Sequence, residues 1–204
     1  MQPQDGVIKF NLEHSYASLP SWADVQAIQY WFARCRELDM IGQHPDRYAG
    51  AAYGNISQRA PSGFLITGTQ TGGKATLGLQ DICWVQEIDI ERNRLVSSGE
   101  IRPSSESMTH EQIYRYVVEA SFVIHVHHKP LWQQAANLGL AITATHAAYG
   151  TPEMAYEVER LLMRSEVLET GSFSMGGHED GIVVFGASAD QAGKRLENLV
   201  ARLN

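Results

Sequence analysis

The stretch Ser121-Phe122-Val123-Ile124-His125-Val126-His127-His128 (SFVIHVHH) decides how the rest of the chain is read. Its aromatic and β-branched residues suit a pleated, half-buried surface, so the run predicts a strand. Side chains alternate along a strand. His125 and His127 therefore share one face, while Ile124, Val126 and His128 point to the other. Two imidazoles at this spacing can reach one cation at roughly 2.0–2.1 Å. The alternative is a pair of histidines that are simply packed or hydrogen-bonded. Burial at the end of an apolar strand costs free energy unless the ring nitrogens are satisfied, and a cation satisfies one nitrogen of each.

Downstream, His178 lies in GGHEDG at 176–181, between a Ser/Met-containing extended piece and the apolar strand GIVVFG. It is the best third ligand, with an exposed turn histidine as the alternative. Three histidines with one open position describe a catalytic rather than a structural metal centre. A short helix is expected from Pro130 to Leu138. Thr151 as cap and Pro152 at the first helical position open another that runs through Leu162. A closing helix begins at Ser188. His14, His44, His110 and His146 have no partner at ligand spacing and are left unassigned.

Upstream, PSSE at 103–106 places two hydroxyls and a carboxylate before a helix that Thr109 can cap, with Ile113, Tyr116 and Val117 turned inward. Free amides and hydroxyls at a helix start favour an anion such as phosphate, and Glu106 is a candidate general base beside a metal. Helix capping is the plainer reading of the same residues. The run FLITGTQTGGK (64–74) has the glycine and lysine spacing of a nucleotide-binding loop. Position 75, however, is alanine where a magnesium-binding hydroxyl belongs, and a strand follows instead of a helix. Nucleotide binding is rejected, and phosphate recognition by backbone amides is retained. Farther upstream, a helix capped by Ser21 is expected to carry Trp22, Val25, Ile28, Trp31, Phe32, Cys35 and Leu38 as its apolar stripe, ending at Gly42 and Pro45.

The chain has 204 residues, 44% hydrophobic and 19% charged, an ordinary globular composition without linker or repeat. One domain spanning 1–204 is expected, of α/β class. The architecture read is a three-layer sandwich with a central, largely antiparallel sheet flanked by helices. A net charge of −7 argues against a nucleic-acid partner. No apolar run reaches the roughly 18 residues that span a bilayer, and MQPQDGVIKF lacks the pattern of a signal peptide. Cys35 and Cys83 match no metal or redox spacing and fit reduced thiols in a cytoplasmic protein.

Taken in order, GNIS (54–57), ITGT (66–69), PSSE with a downstream His and Tyr (103–114), IHVHH (124–128), YGTPEMAYEV (149–158) and GGHEDGIVVFG (176–186) resemble the class II aldolase/adducin family from Trp22 to the end. The resemblance implies an α/β fold that assembles as a ring-like homotetramer. It also implies a Zn2+ site on His125, His127 and His178, with Mn2+ or Co2+ as other candidate metals, and Glu106 as the catalytic carboxylate. Asn55, Thr67, Gly68, Ser104 and Ser105 match the positions that hold a substrate phosphate. The implied activity is a lyase that cleaves a phosphorylated ketose by a retro-aldol reaction through a zinc-stabilised enediolate. Dehydration or epimerisation of a sugar phosphate is the enzymatic alternative, and a non-catalytic adducin-like scaffold is the alternative of another class. GGHEDG departs from the more usual Asn-His-Gly or His-His-Gly, and the family's proton-donating tyrosine has no clear match.

Overall fold

The computed structural model describes residues 7–203. The two ends of the expected domain, and with them the opening MQPQDG, lie outside the described residues. In chain order the elements are β1 (Asn11–Tyr16), α1 (Gln26–Glu37), β2 (Gly42–Gln43), β3 (Ala52–Tyr53), β4 (Asn55–Arg59), β5 (Phe64–Thr67), β6 (Ile82–Asp89), β7 (Arg94–Gly99), α2 (Ser107–Tyr116) and β8 (Phe122–His127). They continue with α3 (Lys129–Gln133), β9 (Ala141–Ile142), α4 (Pro152–Leu162), α5 (Ser165–Thr170), β10 (Ser172–Ser174), β11 (Gly181–Gly186) and α6 (Ala189–Ala201).

Among the described residues nine strands form one sheet in the order β1-β7-β6-β5-β4-β8-β11-β10-β9. It is antiparallel except for the two outermost pairs, β1 with β7 and β9 with β10. The SFVIHVHH strand lies inside it as β8, between β4 and β11, and is buried along its whole length. Alternation divides the core in two. Val123 and Val183 pack on one face with Ile113 of α2 and Met154 and Val158 of α4. Phe122, Ile124 and Val126 pack on the other with Ile28 and Phe32 of α1, Leu131 of α3 and Leu196 of α6. Each such side chain, removed from water, contributes about 1.5–3 kcal/mol. The result is the mixed α/β sandwich with helices on both sides of its sheet that the strand pattern predicts. No described helix is long and apolar enough to cross a membrane.

Three helices differ in their boundaries from the sequence reading. The first helix begins only at Gln26, whose amide is taken by the Asp24 side chain at 3.0 Å. Trp22 therefore lies outside it, part-exposed, with its ring edge-on to Trp84 at 5.4 Å. The same helix stops before Asp39, which is left-handed at φ 54°, rather than at Gly42. Helix α2 starts two residues before Thr109, because the PSSE turn has already begun it through Ser107 N and Oγ, both donating to Ser104 O. Its buried tyrosine is Tyr114, while Tyr116 and Val117 are half-buried. The third helix is shorter than expected, and His128 caps it by accepting from Leu131 N at 3.2 Å. Thr151 caps α4 and Ser188 caps α6 as read.

Candidate metal centre

Strand pairing sets the first part of the site. His125 sits opposite Asn55 on β4 and Val183 on β11, and His127 sits opposite Gly181. Gly54, at φ 76°, makes the tight entry into β4. A Cβ there would lie 2.6 Å from Ile41 and 3.2 Å from His125 O, so only glycine lets the chain pass behind the histidine. His178 comes from the turn between β10 and β11, closed by His178 N to Met175 O at 3.1 Å and Gly181 N to His178 O at 3.0 Å.

This turn brings His178 Nε2 to 3.0 Å from His127 Nε2, and one ring nitrogen of each of the three histidines lies within 4.8 Å of the others. All three are buried. Two nitrogens bound at 2.0–2.1 Å to one tetrahedral cation stand about 3.3 Å apart, so the His127–His178 pair is near that spacing and the three rings could close on one ion. His125 Nδ1 lies 3.2 Å from Ile182 O, an acceptor that fixes the proton on Nδ1. Its Nε2 is buried without a hydrogen-bond partner and turns its lone pair inward. Burial pushes the His125 pKa down to about 4 and those of His127 and His178 well below their ordinary value. All three are therefore neutral at pH 7, the protonation state a cation requires.

Glu106 stands at the start of α2, but its carboxylate does not cap the helix. Its Oε2 accepts from Thr109 Oγ1 at 3.2 Å, and its Oε1 lies 3.3 Å from His178 Nε2. The Ser104 hydroxyl makes the local turn bond instead, accepting from Glu106 N at 3.3 Å. The carboxylate is buried and directed at the histidines, where it can move a proton next to a bound cation.

A cleft of about 370 Å³, its mouth included, opens over this group. Asn55, Gly68, Ser104, Ser105, Glu106 and all three histidines border it. A backbone bridge between Gly68 and Pro103, with Thr69 N donating to Arg102 O at 3.0 Å, holds the ITGT and PSSE loops side by side. The Gly68 amide is itself committed to Asp81 O at 2.8 Å. Asn55 Oδ1 is buried in the cleft wall without a hydrogen-bond partner. Among the described residues, no lysine or arginine borders the cleft itself, and Lys9 reaches its lining from outside, with Nζ 3.4 Å over the ring of Tyr149. Lys74 is ion-paired with buried Asp81, and the chain beyond it passes through turns into β6. That agrees with the rejection of a nucleotide loop. Thr67 stands apart from the other candidates. It pairs with Ile82 across the sheet, shares that residue's face, and takes Ile56 N on its hydroxyl at 3.2 Å.

Three groups escaped the sequence reading. Tyr149 borders the cleft with its ring 4.8 Å from that of His178. Gly150, at φ 66°, permits this approach, since a Cβ there would stand 2.7 Å from Ser105 O. His110 is wholly buried, its Nδ1 2.6 Å from Ser57 Oγ, which in turn lies 2.7 Å from Tyr114 Oη. The signal for His110 was its place one turn after Glu106, on the same helix face. Tyr48 packs edge-on against His127 at 4.5 Å from a loop that carries no recognisable pattern.

The family described as the class II aldolase and adducin N-terminal domain matches residues 44–203. Among solved structures, L-fuculose-1-phosphate aldolase from Thermus thermophilus is 23% identical with a TM-score of 0.57, over 87% of both chains. A further L-fuculose 1-phosphate aldolase is 19% identical with a TM-score of 0.65, over 92% of this chain and 85% of the other. A sugar-phosphate aldolase from Thermotoga maritima is 14% identical with a TM-score of 0.64, over 88% and 91%. At these identities the likenesses speak for the fold, while the family match spans most of the chain. With the sheet order, the histidine cluster and this match together, the chain belongs to the class II aldolase/adducin family.

Proposed function

We propose that this chain is a divalent-metal-dependent lyase that cleaves a phosphorylated ketose by a retro-aldol reaction. The observation that carries the reading is the convergence of His125, His127 and His178, with the Glu106 carboxylate 3.3 Å from one of them, under a cleft bordered by hydroxyl-bearing loops. The three imidazoles would hold Zn2+, with Mn2+ or Co2+ as alternatives. When bound, the cation polarises a carbonyl and its neighbouring hydroxyl.

Glu106 is the group placed to move the proton. As the carbon–carbon bond breaks, its electron pair stays on the ketone fragment as an enediolate. The hydroxyl of the departing fragment loses its proton and becomes an aldehyde, and protonation of the enediolate completes the reaction. Asn55, Gly68, Ser104 and Ser105 border the cleft, and we assign the substrate phosphate to them. Among the described residues, that wall offers hydroxyls, the Asn55 amide and backbone groups for recognition. Thr67 drops out of this set as a strut of the opposite face. A homotetramer is the assembly this reading carries, and light scattering of the purified chain tests it.

Metal analysis and product detection test the function together. The expected result is about one zinc per chain, and release of a triose phosphate from one member of a ketose-phosphate panel, read by a coupled dehydrogenase. A metal-bound protein that instead releases water from its substrate, or inverts one of its carbons, replaces the aldol step by dehydration or epimerisation. A folded, metal-free protein inert to the whole panel overturns the enzyme and favours a scaffold.

A further inference from the structure

A second cleft is bordered by Asp39, Arg47, Tyr48, His128 and Asp180 together with His127, which also borders the first cleft. Its wall includes a loop with an unusual backbone. Tyr48, Ala49 and Gly50 are consecutive left-handed residues, at φ 50°, 55° and 80°. For the two non-glycine residues this conformation costs about 1–2 kcal/mol each, so the surroundings must impose it.

What the strained backbone achieves is the placement of one side chain. The Tyr48 ring meets His127 edge-to-face, with centroids 4.5 Å apart and planes at 74°. The Tyr48 hydroxyl donates to Asp180 Oδ2 at 2.6 Å. Asp180 is itself left-handed at φ 63° and sits two residues beyond His178, in the turn that carries it. Tyr48 thus touches one candidate ligand directly and ties down the turn that supplies another. Arg47 fixes the neighbouring ring: its guanidinium lies 4.4 Å over Tyr53, and its Nη1 donates to Tyr53 Oη at 2.9 Å and to Asp39 at 2.6 Å. Tyr53 lies 5.6 Å from His127 and packs edge-on against Tyr48 at 5.1 Å.

The need for such a device follows from an asymmetry between the ligands. His125 has its outer nitrogen against the Ile182 carbonyl, a backbone group that any sequence would provide. His127 has its outer nitrogen, Nδ1, buried with no hydrogen-bond partner. Among the described residues no hydrogen bond reaches His127 Nδ1, so packing must hold the ring, and Tyr48 is the nearer of the two tyrosines packed on it.

We propose that Tyr48 and Asp180 form a latch that positions His127 and His178 and sets how long the centre retains its cation. Tyr48 is then a positioning residue, and the inference rests on the metal reading given above. The probe is cobalt(II) alone, bound to the full chain. Two quantities are followed: its visible ligand-field spectrum, and the rate at which excess EDTA removes it. Tyr48→Phe keeps the ring on His127 and cuts the tie to the turn, whereas Asp180→Asn keeps the ring and weakens the tie from a charge-assisted to a neutral hydrogen bond. Tyr48→Phe should lose cobalt about tenfold faster and Asp180→Asn by a smaller factor, both with a spectrum close to wild type. Tyr48→Gly accepts the left-handed backbone without strain and removes the ring. It should release cobalt about a hundredfold faster with a changed spectrum.

Melting of the metal-free forms separates latch from scaffold. Faster release in Tyr48→Phe and Asp180→Asn, with apo melting temperatures near wild type, supports positioning. Release at the wild-type rate in both variants overturns the latch and leaves the metal centre standing. A wild-type chain that gives no cobalt spectrum overturns the metal reading and the latch with it.

Discussion

The two faces of strand β8 differ as sharply as any two regions of this molecule. On one face Phe122, Ile124 and Val126 meet α1, α3 and α6 in an apolar layer with no ionisable group from the strand. On the other, one residue out of step, Val123 gives way to His125 and His127, and the polar groups of β4, α2 and the β10–β11 turn gather around them. The backbone is common to both, so the pleat alone separates a stability face from a chemistry face. Substitutions on the two faces should therefore fail in different assays.

The largest effects belong to the histidine face. His125→Ala should abolish metal binding, reducing zinc from about one per chain to none, while the apolar layer behind it keeps the protein folded. Glu106→Gln should retain the metal and lose about 10²–10⁴-fold in kcat, the range expected when a proton-transferring group is removed. If Glu106→Gln instead loses the metal and keeps residual turnover, the carboxylate is a ligand and not the base.

One residue away, Ile124→Ala should do the reverse. Ile124 is fully buried, and truncating such a side chain costs about 2–5 kcal/mol. Denaturant titration should show that loss with metal stoichiometry unchanged. Coupled loss of metal and stability in this variant would mean that the faces are not independent.

The contrast also sets a pH dependence for the metal-free protein. The His125 pKa is near 4 in the fold and about 6.5 in an unfolded chain. Between those values the unfolded state takes up a proton that the folded state refuses. Stability is therefore fully present above pH 6.5 and falls as pH drops toward 4, by about 3 kcal/mol from this residue alone. His110, His127 and His178, also pushed down by burial, extend the loss to lower pH. Bound metal should oppose it by competing with the protons, and His125→Ala should flatten the apo profile over this interval. An apo protein whose stability does not change from pH 6.5 to 4 would contradict the burial of these rings.

Much of this is legible in the sequence, because it rests on local periodicity. A β-branched run with histidines at i and i+2 has one reading as a buried strand, and Thr151-Pro152 and Ser188 announce helix starts that the fold obeys. What escapes is what depends on distant chain. Nothing within residues 44–50 predicts that Tyr48 reaches Asp180, 132 positions away. Trp22 fits a helical stripe by spacing, yet the Asp24 side chain starts the helix later and leaves the indole to Trp84. His110 has no partner at ligand spacing, and although it stands one turn after Glu106, its bond to Ser57 forms only when β4 comes against α2.

Thr67 tests the comparison at its finest scale. As part of an ITGT motif it is grouped with the phosphate-holding residues, but a motif ignores the pleat. Phe64 and Ile66 face the histidine side, whereas Leu65 faces the apolar layer, and Thr67 continues in step with Leu65 and opposite Ile82. Its hydroxyl takes the Ile56 amide. Thr67→Val should accordingly cost about 1 kcal/mol of stability for one lost buried hydrogen bond and leave KM for the phosphorylated substrate unchanged. Ser105→Ala, on the cleft wall, should raise KM about tenfold with little change in melting temperature. If the two variants exchange phenotypes, the side of the sheet on which a residue lies is a poorer guide to its role than the motif that contains it.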